Sequence, residues 1–235
     1  MALLEATRAA LLLLVTGDAA LWQIIWVTLK TALLGLLLAT PFAVAAGYAI
    51  ASTRFRGRRV LIWLAQAALS LPTVLIGLIL YMLLSRQGPA GSLHWLFSQP
   101  GIVAGQVFIA LPVLLATTLA AVQAIDPRLP ETARVLGASR WRIMLTVLHE
   151  GRFGVLAAII SGFGRVISEV GCALMVGGNI EGETRTITTA IALETSKGEF
   201  AQGIALGIVL ILFALLINAA LLLLQGDAAS GRQSA

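Results

Sequence analysis

GIVAGQVFIALPVLLATTLAAVQA, residues 101–124, carries no charged side chain anywhere along its length. At about 1.5 Å per residue, a helix this long covers the roughly 30 Å hydrocarbon core of a bilayer. Asp126-Pro127-Arg128-Leu129-Pro130 follows it, and two such closely spaced prolines cannot continue a helix. The stretch reads as one membrane crossing with an abrupt stop. Stretches of similar apolarity at 22–50, 60–84, 151–176 and 201–224 bring the predicted spans to five.

The whole chain of 235 residues agrees, with 59% hydrophobic and 11% charged residues and a mean hydropathy of +0.95. A soluble domain carries roughly 25% charged residues, so the expected fold is an all-α integral membrane bundle. No connection between spans is long enough for a separate soluble domain. No G-x-x-x-x-G-K-[ST] loop occurs, which excludes ATP binding through that motif. Cys172 is the single cysteine, and His94 and His149 lie far apart, so no disulfide, metal cluster or cofactor site is expected.

The net charge of +5 is explained by topology rather than by nucleic acid. Arg54, Arg56, Arg58 and Arg59 fill the first connection, while Arg128, Arg134, Arg140, Arg142 and Arg152 fill or flank the third; Arg232 lies in the tail. The opposite side holds only Arg8, Arg86, Arg185 and Lys197, alongside most of the carboxylates. The positive-inside rule then puts the N-terminus outside and the C-terminus in the cytoplasm, as an odd number of spans requires. Residues 1–21 read as a short helix on the outer membrane surface ended by Asp18, and residues 226–235 as a cytoplasmic tail without a regulatory domain. Trp22 and Trp26 anchor the first span at one interface. Pro41, Pro72 and Pro112 fall within spans, where the carbonyls they free need buried or water-lined surroundings.

The third connection has more detail. Pro130 suits the first position of a new helix, Glu131 places negative charge at its positive end, and Gly137 stops it after about two turns. Ser139 caps the next helix, which runs through Trp141 and Met144 toward the fourth span. The predicted shape is a compact cytoplasmic knob with a glycine elbow, covering residues 130–142.

ETARVLGASRWRIMLTVL, residues 131–148, resembles the EAA signature of permeases in ATP-binding-cassette importers. Glu131, Ala133, Gly137, Ala138 and Ser139 match that signature, while Thr132 replaces its central alanine. Leu148-His149-Glu150 stands where a leucine-proline pair is usual, so the helix is expected to run unbroken into the fourth span. LPTVLIGLILYMLLSRQGP (71–89) resembles oxyanion permeases, GRVISEVGCALMVGGNI (164–180) the molybdate and tungstate branch, and TRTITTAIALETSKGEF (184–200) tungstate permeases most closely. The resemblance implies a five-span core over residues 22–225, a coupling helix docking on a cytoplasmic ATPase dimer, an external tungstate-binding protein and a second copy of the chain. It also implies import of tungstate across the cytoplasmic membrane without catalysis by this chain, molybdate and sulfate being the nearest other substrates.

Candidate pathway residues follow from charge and position. Arg165 and Glu169, four residues apart in the fourth span, are expected to share a helix face; Ser168, Thr73 and Asn179 complete the set. Gly177-Gly178-Asn179 is expected to end the fourth span. Thr186 to Thr195 reads as a short gate helix across the mouth of the pathway. A channel or secondary transporter would need pore-lining charges or inverted repeats; apart from Arg152 at the very edge of the fourth span, only Lys30, Arg165 and Glu169 are charged within spans, and no repeat is visible. A membrane enzyme would need clustered catalytic groups, and the two histidines fall on opposite sides.

Overall fold

A computed structural model of the chain describes residues 17–233 together with Arg8 and Leu12. The surface helix expected within residues 1–21 lies largely outside the described residues. Asp18, expected to close that helix, instead opens the first span: its carboxylate accepts a hydrogen bond from Leu21 N at 3.0 Å, capping α1 (Ala19–Ser52).

All regular structure among the described residues is helical. α1, α4 (Gln99–Gln123) and the stretch Phe200–Ile217 of α10 (Phe200–Gln233) are each long and apolar enough to cross a membrane alone. Pro41 and Pro112 lie inside α1 and α4 without ending them. α10 continues as helix past residue 224, where the span was expected to end.

The second and fourth predicted spans are broken. Residues 60–84 form α2 (Arg58–Ala68) and α3 (Thr73–Leu84), bent by 98° about the Leu69–Pro72 link. Pro72 sets the break, since the residue before a proline is pushed out of the helical region. Residues 151–176 form α7 (Arg152–Ile167) and α8 (Gly171–Gly177), separated at Ser168–Val170 with no proline present. The unbroken run expected ahead of the fourth span also fails: α6 (Arg140–Glu150) meets α7 at 72° about Gly151.

α1 packs along α4, and α4 along α7. Their shared core is built from small and branched residues, including Ala32, Ala39 and Ala43 against Ala110, Leu114 and Ala158. Small residues let helices in a membrane approach closely: a Cβ added to Gly35 would lie 2.7 Å from Gln106 Cβ. α3 packs on α8 in the same way, a Cβ on Gly77 falling 2.8 Å from Cys172 Cα. The second halves of the two broken stretches therefore lie against each other.

Candidate functional site

The polar stretch 125–151 folds onto the ends of the long helices. α5 spans Arg128–Val135, two residues earlier than the expected start at Pro130. The signal missed was Asp126, whose carboxylate accepts from Arg128 N at 2.9 Å. Glu131 still lies in the first turn. The end of the helix follows the expected chemistry: Gly137 has φ of 80°, Gly137 N donates to Arg134 O, and Ala138 N donates to Ala133 O at 3.0 Å. These two bonds form a Schellman turn, which a glycine in the left-handed region permits. Ser139 then caps α6, accepting from Arg142 N at 3.4 Å.

Ala133 and Ala138 pack with Tyr48, Ile125 and Leu129 on a small core of Val122, Ile143 and Val147. The knob is thus fixed to the ends of α1 and α4. Its tip is apolar and uncovered, with Val135 86% and Leu136 81% exposed. Two adjacent large apolar side chains so fully exposed mark a surface suited to a partner.

A second constellation sits where the broken spans meet. Glu169, just past the end of α7, has a side chain 3% exposed, and its Oε2 accepts from Arg165 Nη1 at 3.5 Å. Its Oε1 accepts from Cys172 N at 2.9 Å, capping α8, and its carbonyl accepts from Thr188 Oγ1 at 2.5 Å. One residue thereby ties α7, α8 and α9 (Ile187–Lys197) together. Thr73 is close by: a Cβ on Gly171 would meet Val74 Cγ2 at 2.5 Å and Thr73 Oγ1 at 3.4 Å. Ser168 turns its hydroxyl back to Gly164 O at 2.9 Å. Thr73, Arg165, Ser168 and Glu169 therefore gather around the break.

Asn179 does not join them. It follows Gly178 at the far end of α8, about 10 Å along that helix axis, with φ of 52° and a buried Oδ1 that has no hydrogen-bond partner.

Ser161, Arg165 and Ser168 share one exposed stripe of α7, with the Arg165 side chain 39% exposed. Beside them a cavity of about 180 Å³ opens between α7 and α10, lined in part by Ser161, Gly164 and Ser168. A polar face with an arginine at membrane depth is costly toward lipid; such faces line a cavity or meet protein.

The short helix after this site packs into the core. Thr186 caps α9 in a reciprocal box with Thr189. Ile187 and Ala190 are buried against Leu21, Ile25, Ala205 and Leu206, and Ile187 N donates to Thr28 Oγ1 at 2.8 Å. Thr28 and Thr188 were missed by sequence reasoning, because threonines in apolar stretches carry no signal until their distant partners are known.

The fold is thus a set of long and broken apolar helices with an ion-paired junction and a knob whose tip is apolar and exposed. The chain belongs to the family of binding-protein-dependent transport system inner membrane components, matched over residues 39–227. A tungstate uptake system permease protein of Campylobacter jejuni is 37% identical, covering 91% of this chain and 90% of that protein. A molybdenum transport system permease protein of Escherichia coli K12 is 29% identical, covering 84% and 91% respectively. The fold is similar to that of a bacterial ABC transporter involved in alginate import, with a TM-score of 0.72 at 19% identity over 93% of this chain and 82% of that one.

Proposed function

We propose that this chain is the membrane subunit of a tungstate importer, acting as a homodimer driven by a separate cytoplasmic ATPase dimer and fed by an external tungstate-binding protein. The observation that carries the substrate is the likeness to a tungstate permease over nine-tenths of both chains. Residues 22–225 make the five-span unit, with α2 and α3 serving together as the second span and α7 and α8 as the fourth. α7 alone, at 16 residues or about 24 Å, is too short for the roughly 30 Å core, and α8 completes it. Ten basic residues on one side against four on the other support a cytoplasmic knob. A cysteine introduced at Arg56 should resist impermeant thiol reagents in intact cells, and one at the exposed Ser92, beside Gly91, should react, in a Cys172→Ser background. Reversed labelling would overturn the orientation.

In this reading Val135 and Leu136 seat in the ATPase, with Glu131, Ala133, Gly137, Ala138 and Ser139 shaping the elbow that transmits its movement. The α7 stripe faces its counterpart in the second copy, so that Thr73, Arg165, Ser168 and Glu169 border the path, and Asn179 lies nearer its outer mouth. α9 holds the junction from outside through Thr188. Arg165 supplies positive potential along the path while its pairing with Glu169 prevents tight capture of the dianion.

Selectivity then resides in the binding protein, where cavity size and donor placement discriminate between oxyanions. Replacing that protein with a docking-compatible molybdate-selective one should make the same permease import molybdate, measured by elemental analysis at matched anion concentrations. A persisting preference for tungstate would place selectivity inside this chain.

A further inference from the structure

We propose that the groove between α1 and α4 seats one acyl chain of an anionic phospholipid, with the lipid phosphate held at Lys30. The groove encloses about 530 Å³. Its floor comes from Leu34, Leu38 and Phe42 on α1 and from Val103, Val107 and Leu111 on α4. Both triplets repeat at close to every fourth residue, so the groove runs parallel to the helix axes. From Lys30 to Phe42 it extends about 18 Å, a length suited to an extended acyl chain.

Charge is confined to one end. Lys30 Nζ donates to Gln99 Oε1 at 2.9 Å, and Gln99 Nε2 donates in turn to Glu183 O at 2.9 Å. An ammonium has three donors, and Lys30 is exposed, so the ones not used on Gln99 are free for an anion. Among the described residues the ion pairs are Arg165 with Glu169, Arg185 with Glu181 and Lys197 with Glu194. Lys30 is in none of them, so its positive charge meets no carboxylate of the described residues.

The depth is right for a headgroup. α4 has 25 residues, about 37 Å of helix, which exceeds the roughly 30 Å hydrocarbon core. Its first residue, Gln99, therefore reaches the headgroup level, and Lys30, whose backbone lies inside the predicted first span, extends its ammonium to Gln99 there. Trp95, 39% exposed, lines the same end, where aromatic side chains favour the membrane interface. An unpaired cation at the interface above an apolar trough matches a phosphate with a chain attached. A zwitterionic lipid brings its own cation to Lys30 and fits less well. The site is independent of which anion the permease carries.

The test uses purified permease–ATPase complex, re-lipidated with equal phosphatidylglycerol and phosphatidylcholine, washed in mild detergent and read by native mass spectrometry. Wild type should retain phosphatidylglycerol preferentially. Lys30→Met should lower the retained phosphatidylglycerol-to-phosphatidylcholine ratio about fivefold, the effect of one basic residue at an anionic surface, and Lys30→Arg should restore it. Val107→Trp, which fills the trough, should reduce retention of both lipids. No preference in wild type, or an unchanged ratio in Lys30→Met, would overturn the proposal. So would a Leu38→Cys disulfide between two copies in a Cys172→Ser background, since a second chain would then occupy the groove.

Discussion

Glu169→Gln should slow tungsten uptake about tenfold or more, and the double variant Arg165→Gln/Glu169→Gln should recover much of the loss. Glutamine keeps an acceptor for Cys172 N, so the cap on α8 survives and only the charge partner of Arg165 is removed. A hydrogen bond to a charged group contributes roughly 1.5–3 kcal/mol, equivalent to about a tenfold to hundredfold rate change. The 39% exposure of Arg165 places the effect toward the lower end, since solvent screens the pair. Removing one partner leaves an uncompensated cation at the junction of α7 and α8, whereas removing both does not. Uptake at equal membrane expression decides the matter. A double variant no better than Glu169→Gln would make the carboxylate essential in its own right, and the pairing incidental.

Gly137→Val should strip most of the ATPase from the purified permease, while Gly137→Asn retains much of it and Glu131→Gln nearly all. A Cβ on Gly137 meets nothing within 4 Å, so the cost is purely conformational. The left-handed region costs an L-residue about 1–2 kcal/mol, and asparagine tolerates it far better than a β-branched side chain. Glu131 interacts only with the helix dipole, which contributes about 0.3–1 kcal/mol. Distortion of the elbow redirects Val135 and Leu136, the two side chains that form the tip. The fraction of ATPase copurified with each variant reports the effect, and equal retention across wild type and Gly137→Val would refute the elbow.

The knob was legible in the sequence because its determinants are local. Gly137 and Ser139 act through bonds to residues three to five positions away, so residue type and spacing were enough. Even there Pro130 misled: Asp126 supplies an earlier start through Arg128 N. The 98° bend at Pro72 was not readable in the same way, since Pro41 and Pro112 stand in equally apolar stretches without ending their helices. The break at Ser168–Val170 has no proline to mark it. It is held by Glu169, whose bond to Cys172 N is local but whose bond to Thr188 Oγ1 spans nineteen residues. α9 illustrates the same limit. Helical spacing gave its extent, read as Thr186 to Thr195, but not its burial, in which Thr186 and Thr189 satisfy each other and Thr28 accepts from Ile187 N. Arg165 and Glu169 do pair, but Glu169 lies past the end of α7 rather than on the shared helix face expected from the spacing, and the arrival of Thr73 beside them depended on the packing of α3 against α8.

Proteoliposomes containing this permease and its ATPase, supplied with tungstate-loaded binding protein outside, measure the central claim most directly. Tungsten inside the vesicles, determined by elemental analysis, should accumulate only when ATP is present on the ATPase side and loaded binding protein on the other. Omitting either should reduce uptake to the level of empty vesicles. Tungsten entry at the same rate without ATP would contradict the account and make this chain a channel or secondary transporter.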